Sequence, residues 1–296
     1  MTTLSAGINA GCRAIDVADA VQGTSIPVRL LYPTRAQARP TPFGPFRVDI
    51  ALDAPVDGHA LPLVVISHGS GGTPFTHRDL ALHLARAGCV AALVQHPGNC
   101  RADDSLSGTV ANLENRPRHL HLVIDAALTD PIVGAHVAPR GVTIIGHSMG
   151  GYTALAVAGG KPTSLAQESP NGAAVTVPVM RDARVSALVL LAPATPWFMA
   201  NGALADVDVP ILMRTGERDM LTTAFHAQVV ASGLRDPARL DHAVVANAGH
   251  FAFLSPYPPE MVSPAIPPSQ DPPGFDRAAY LPVLFDEIVR FIRRAR

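Results

Sequence analysis

Lysine is almost missing from this chain. Of 23 basic residues only Lys161 is a lysine, and that skew looks compositional rather than functional. Net charge is missing too: 24 acidic residues leave a balance of −1 over 296 residues, so no electrostatic footprint for nucleic acid or an anionic membrane follows. Cysteine is limited to Cys12, Cys89 and Cys100, an odd number with neither metal nor redox spacing. No disulfide framework results, which fits a reducing compartment. No His, Asp or Glu cluster has metal-ligand spacing, so neither a metal nor a cofactor is expected. No apolar run approaches the roughly 18–20 residues that span a bilayer. Met1 to Ala10 has neither a basic nor an apolar segment of the kind a secretory leader needs, so a cytoplasmic protein is expected. Aromatic residues make up only 5% and no long apolar lid helix is visible, which argues against a large interfacial lipase cap.

What is present is a core. Hydrophobic residues reach 48% and charged residues 16%, which excludes disorder. Chains of this length often form one α/β domain, and residues 1–296 are read that way. Short apolar runs alternate with amphipathic stretches. Strands are predicted over Val28–Tyr32, with Pro33 ending the first, and over Leu61–Ser67, Val90–Gln95, Val142–Gly146, Val185–Leu191, Pro210–Thr215 and His242–Ala246. Helices are predicted over His77–Ala87, Arg118–Thr129, Gly150–Gly159 and Phe275–Arg294. Near-continuous apolar strands between helices imply a mostly parallel sheet of about eight strands, covered on both faces. Three polar or proline-rich stretches break the pattern: residues 101–115, 160–184 and 255–274, the last with eight prolines. Each is a candidate lid or pocket rim.

The strongest motif is Gly146-His147-Ser148-Met149-Gly150, between a predicted strand and a predicted helix. A serine at such a turn presents an exposed hydroxyl, and the flanking glycines let the backbone pack tightly. The helix N-terminus also aims N–H groups at a developing anion. A serine nucleophile needs a base and an orienting acid, which in this arrangement follow in the order acid, then histidine. Asp219 follows one predicted strand and His250 the next, so both fall at the strand ends where Ser148 sits. Glu217 is the main competitor for the acid; Asp208 precedes its strand. Ser67-His68-Gly69-Ser70-Gly71-Gly72 supplies a glycine-rich turn for an oxyanion hole. The expected donors are the N–H groups of Ser70 and Met149, with Gly71 in reserve. The run lacks the endings of a phosphate or dinucleotide loop. His68 and His147 read first as structural. His96, Gly71, His147 and Phe251 are candidates for the substrate pocket.

From about Leu61 onward the chain resembles the α/β-hydrolases, and within them the dienelactone hydrolase-like esterases related to platelet-activating-factor acetylhydrolase. The residues that carry the resemblance are Ser67–Gly72, His96-Pro97-Gly98-Asn99, Gly146–Tyr152, Ala248–Phe251 and Asp271–Phe275, with Leu31–Thr34 upstream. Dienelactone hydrolases themselves use a cysteine where this chain has Ser148. The resemblance implies metal-independent hydrolysis of a carboxylic ester through an acyl-serine, while the low aromatic content and the missing lid helix point to a small or medium, short-acyl ester. Acyltransferase, lactonase, thioesterase and peptidase chemistry could use the same residues. A non-catalytic binding protein is the reading from another class.

Overall fold

Residues 7–295 are described by a computed structural model; the first six residues of the Met1–Ala10 stretch lie outside them. Ten strands join in one sheet of order β10-β9-β8-β7-β5-β6-β2-β1-β4-β3. Its parallel half comprises β5 (Leu63–Ser67), β6 (Val90–Val94), β7 (Val142–His147), β8 (Val185–Leu191), β9 (Ile211–Gly216) and β10 (Leu240–Val245). The other half is β1 (Asn9–Asp19), β2 (Thr24–Thr34), β3 (Arg39–Phe43) and β4 (Phe46–Leu52), joined through an antiparallel β2–β6 pairing.

The sheet divides the core by residue parity. Val65, Ile144, Leu188 and Leu190 pack on one face with α2 (Val110–Thr129), α3 (Met149–Val157) and α4 (Ala224–Gly233). Val64, Ile66, Ile145, Val189 and Leu191 pack on the other with α1 (Arg78–Arg86) and α5 (Arg277–Arg294). Both faces of each central strand are buried, so these strands read as unbroken apolar runs.

The expectation of about eight strands is corrected to ten, and the extra strands come from the N-terminal segment. β2 also runs through Pro33, which pairs with Ala10 one residue before the strand ends. A missing donor there costs little of the ladder. A further correction concerns α2, which begins at Val110 rather than Arg118 and continues through Pro117. Thr109 caps it by accepting from the Asn112 N–H. Pro117 cannot donate to the Leu113 carbonyl; the Tyr152 hydroxyl donates to it instead, at 2.8 Å. The stretch 101–115 is therefore a loop only as far as Thr109. Among the described residues no helix is long and apolar enough to cross a membrane.

Candidate active site

β7 delivers Ser148 at the edge where the parallel strands end. Ser148 has φ 53° and ψ −119°, a left-handed conformation that a side-chain-bearing residue adopts only under constraint. The constraint is visible. The Ser148 N–H donates to Leu191 O at 3.1 Å, and its carbonyl accepts from Gly151 N and Ala194 N, both at 2.8 Å. The motif glycines are a packing requirement: a Cβ on Gly146 would lie 2.1 Å from Gly150 O, and one on Gly150 only 2.0 Å from Ser67 O.

The loops after β9 and β10 bring Asp219 to His250, with Asp219 Oδ2 accepting from His250 Nδ1 at 2.8 Å. A carboxylate only accepts, so Nδ1 donates this bond and Nε2 faces away from the carboxylate. Oδ1 accepts from the N–H groups of Leu221 and Thr222, each at 2.8 Å. Thr222 Oγ1 lies 2.7 Å from Oδ2 and 3.1 Å from His250 Nδ1. Burial works to raise the Asp219 pKa, but the bonds and charge of His250 and the Thr222 bonds outweigh it, leaving a carboxyl below its usual range. Glu217 instead accepts from the Asn247 N–H. His147 donates from Nε2 to the His250 carbonyl at 3.0 Å and lies 4.9 Å from its ring. Burial, then the neighbouring His250, push the His147 pKa well below normal.

Ser148 and His250 open onto a cleft of about 520 Å3. Its floor is the Gly69–Thr73 turn, in which Gly71 has φ +58° and Gly72 donates to Gly69 O. Pro45 and Phe46, from the β3–β4 hairpin, form one wall. Leu254, Tyr257, Met261, Ile266 and Pro268 form another, with Leu221 and Arg101 at the sides. The Phe46 and Tyr257 rings meet edge to face at 5.6 Å, and the Arg78 guanidinium sits 3.8 Å over Phe46.

Of the residues singled out in the sequence, Ser148, His250, Ser70, Gly71, His147 and Phe251 line this cleft. Asp219 lies behind His250, and Met149 begins α3 with a buried side chain. His96 is a correction: it is fully buried, bonded to Ser67 Oγ at 2.9 Å and to His119, and is not among the residues that line this cleft. Of the three candidate rims, 255–274 supplies four lining residues, 101–115 supplies Arg101, and 160–184 supplies none. Thr222, Phe46 and the hairpin were missed. The only signal was the Phe43-Gly44-Pro45-Phe46 turn between alternating residues, a pattern without chemistry. Among the described residues no group of three or more His, Cys, Asp or Glu is placed to hold a metal ion.

No protein-family model matches the chain, and no curated protein matches its sequence. Solved structures do match. A ferulic acid esterase from Streptomyces cinnamoneus superposes with TM-score 0.72 at 22% identity, covering 99% of this chain and 91% of that one. A dienelactone hydrolase from Anabaena variabilis gives TM-score 0.58 at 16% identity over 97% and 98% of the two chains. The chain has the α/β-hydrolase fold. A dienelactone hydrolase-like promiscuous phosphotriesterase from metagenomic libraries gives TM-score 0.62 at 16% identity over 97% and 99%. At such identities the fold is what these α/β-hydrolases share with the chain.

Proposed function

We propose that this α/β-hydrolase is a serine hydrolase of carboxylic esters. One observation carries the reading: Ser148, on its strained turn, and the bonded His250–Asp219 pair converge on one cleft. In this reading His250 Nε2 takes the Ser148 proton as the hydroxyl oxygen attacks the ester carbonyl. Asp219 holds the tautomer and stabilises the imidazolium. The Ser70 and Met149 N–H groups receive the oxyanion, each worth about 2.7–4 kcal/mol by comparison with known cases. His250 then protonates the leaving alcohol. Water, deprotonated by the same nitrogen, attacks the acyl-serine, and His250 returns that proton to Ser148 Oγ as the acid leaves.

The cleft walls favour an apolar or aromatic group in the ester, and their volume exceeds what an acetyl group needs. A ferulic acid esterase on the same fold fits an aromatic acyl group. Hydrolysis of p-nitrophenyl esters from acetyl to dodecanoyl, together with an aryl-acid ester, tests the reading against Ser148→Ala. Turnover is expected in the wild type and a loss of about 10⁶ in kcat in the variant. Equal rates for the two proteins would refute it. Product formed only with an added acceptor alcohol or amine would convert it to acyl transfer.

A further inference from the structure

Arg116 is fully buried, yet no carboxylate accepts from it among the described residues. Burying a guanidinium without a directly bonded carboxylate is costly, and its donors are met here by neutral oxygens. Nε donates to Thr153 Oγ1 at 3.0 Å, on the nucleophile helix α3, and that hydroxyl donates onward to the Met149 carbonyl at 3.1 Å. One terminal nitrogen donates to Asn99 Oδ1 at 2.7 Å. The other donates to Ser67 Oγ at 3.1 Å and to the His68 carbonyl. Asn99 Nδ2 in turn donates to Ser70 Oγ at 2.8 Å and to Asp104 Oδ1 at 2.6 Å.

The fork therefore ties together the segments that supply the two N–H groups of the oxyanion hole. It reaches the Ser67–Ser70 strand end twice, directly and through Asn99. It reaches the Ser148–Met149 turn through Thr153. Behind it the proton positions run one way. Arg116 only donates, so Ser67 Oγ accepts from it and donates to His96 Nε2. His96 Nδ1 then donates to His119, whose Nε2 donates to Gln22 Oε1 at 2.9 Å. Every donor in this buried chain has an acceptor, and a satisfied buried network rigidifies what it touches.

We propose that Arg116 is a positioning residue for the oxyanion hole, fixing the Ser70 turn against the Ser148–Met149 turn through its planar fork. The inference rests on the esterase reading. Lysine would keep the charge but not the fork, since an ammonium is a point charge on a flexible stem.

The test compares wild type, Ser148→Ala, Arg116→Lys, Arg116→Met, Thr153→Val and Asn99→Ala on one p-nitrophenyl ester. Thermal unfolding of each is followed in parallel, with the rate of fluorophosphonate labelling at Ser148. For both Arg116 variants, measured where they are folded, kcat is expected to fall about 10²–10³-fold, with KM within about threefold. Labelling should slow with kcat. Thr153→Val and Asn99→Ala, which each cut one link and leave Arg116, are expected to lose about tenfold in kcat. These two carry the test if the Arg116 variants do not fold. A folded Arg116→Lys or Arg116→Met with kcat within threefold of wild type overturns the inference, as does full kcat in both single-link variants. A wild type that turns over no faster than Ser148→Ala overturns the esterase reading itself, and the inference with it.

Discussion

Asp219 uses its two oxygens for different tasks. Oδ1 accepts only backbone N–H groups, while Oδ2 faces Thr222 and His250. An asparagine would keep its single oxygen on the backbone pair and turn its NH2 toward His250. That would force the proton onto Nε2, the atom that in the proposed mechanism accepts from Ser148. Asp219→Asn is therefore expected to lower kcat by about 10⁴ with little change in thermal midpoint; a loss below tenfold would contradict the assigned tautomer. Gly150 makes a prediction of a different kind. Its added Cβ would meet a backbone carbonyl at 2.0 Å, which no rotamer change relieves. Gly150→Ala should lose about 3 kcal/mol or more in urea unfolding; a wild-type midpoint would show that the turn can open. At this scale the sequence was most legible where chemistry is local. Ser148 is marked by its own neighbours, and Asp219 and His250 by strand ends just before them. Direction is not local: His96 also ends a strand at this edge, but its ring turns back toward Ser67 and His119.

The elements that shape the cleft are the ones a sequence pattern describes least. β5 to β9 are buried on both faces and read as apolar runs. The β3–β4 hairpin alternates over only a few residues, and the proline-rich segment has no period at all. Their meeting is a tertiary event, made by the Phe46–Tyr257 contact and by Arg78, which lies over Phe46 and donates to the Pro256 carbonyl. α2 was half legible for a similar reason: the hydroxyl that offsets Pro117 comes from α3. The wall predicts selectivity. Tyr257→Ala should raise KM for an aryl-acid ester about tenfold and leave the acetyl ester nearly unchanged, since burying an aromatic side chain is worth roughly 1.5–3 kcal/mol and only part of that reaches the substrate. Equal effects on both esters would remove the wall from substrate recognition.

Across the whole molecule the buried histidines set a limit on acid tolerance. Burial pushes His77 down to about 4 and, with the charge of Arg116 adding to it, His68 down to about 3. Burial also takes His119 to about 3, the nearby Asp19 opposing it. All three are neutral when folded but bind a proton below about 6.5 when unfolded. The unfolded chain therefore holds more protons in that window, and stability falls as pH drops from 6.5 toward 4. Near pH 5 the slope should approach about 4 kcal/mol per pH unit from these groups together. Urea midpoints at pH 7, 6 and 5 would read it, and a flat profile would contradict it. His77 has no partner at either ring nitrogen, so His77→Leu should soften the slope.

The cleft is built from residues as far apart in the chain as Pro45 and Pro268. A growing polypeptide on the ribosome thus carries Ser148 long before it carries His250 or the second wall. α5, which completes the core face beneath β5, β7 and β9, comes later still. The cleft therefore cannot close around Ser148 until the chain has been made at least as far as Pro268. Assembly of the proposed site thus waits on chain made well after Ser148.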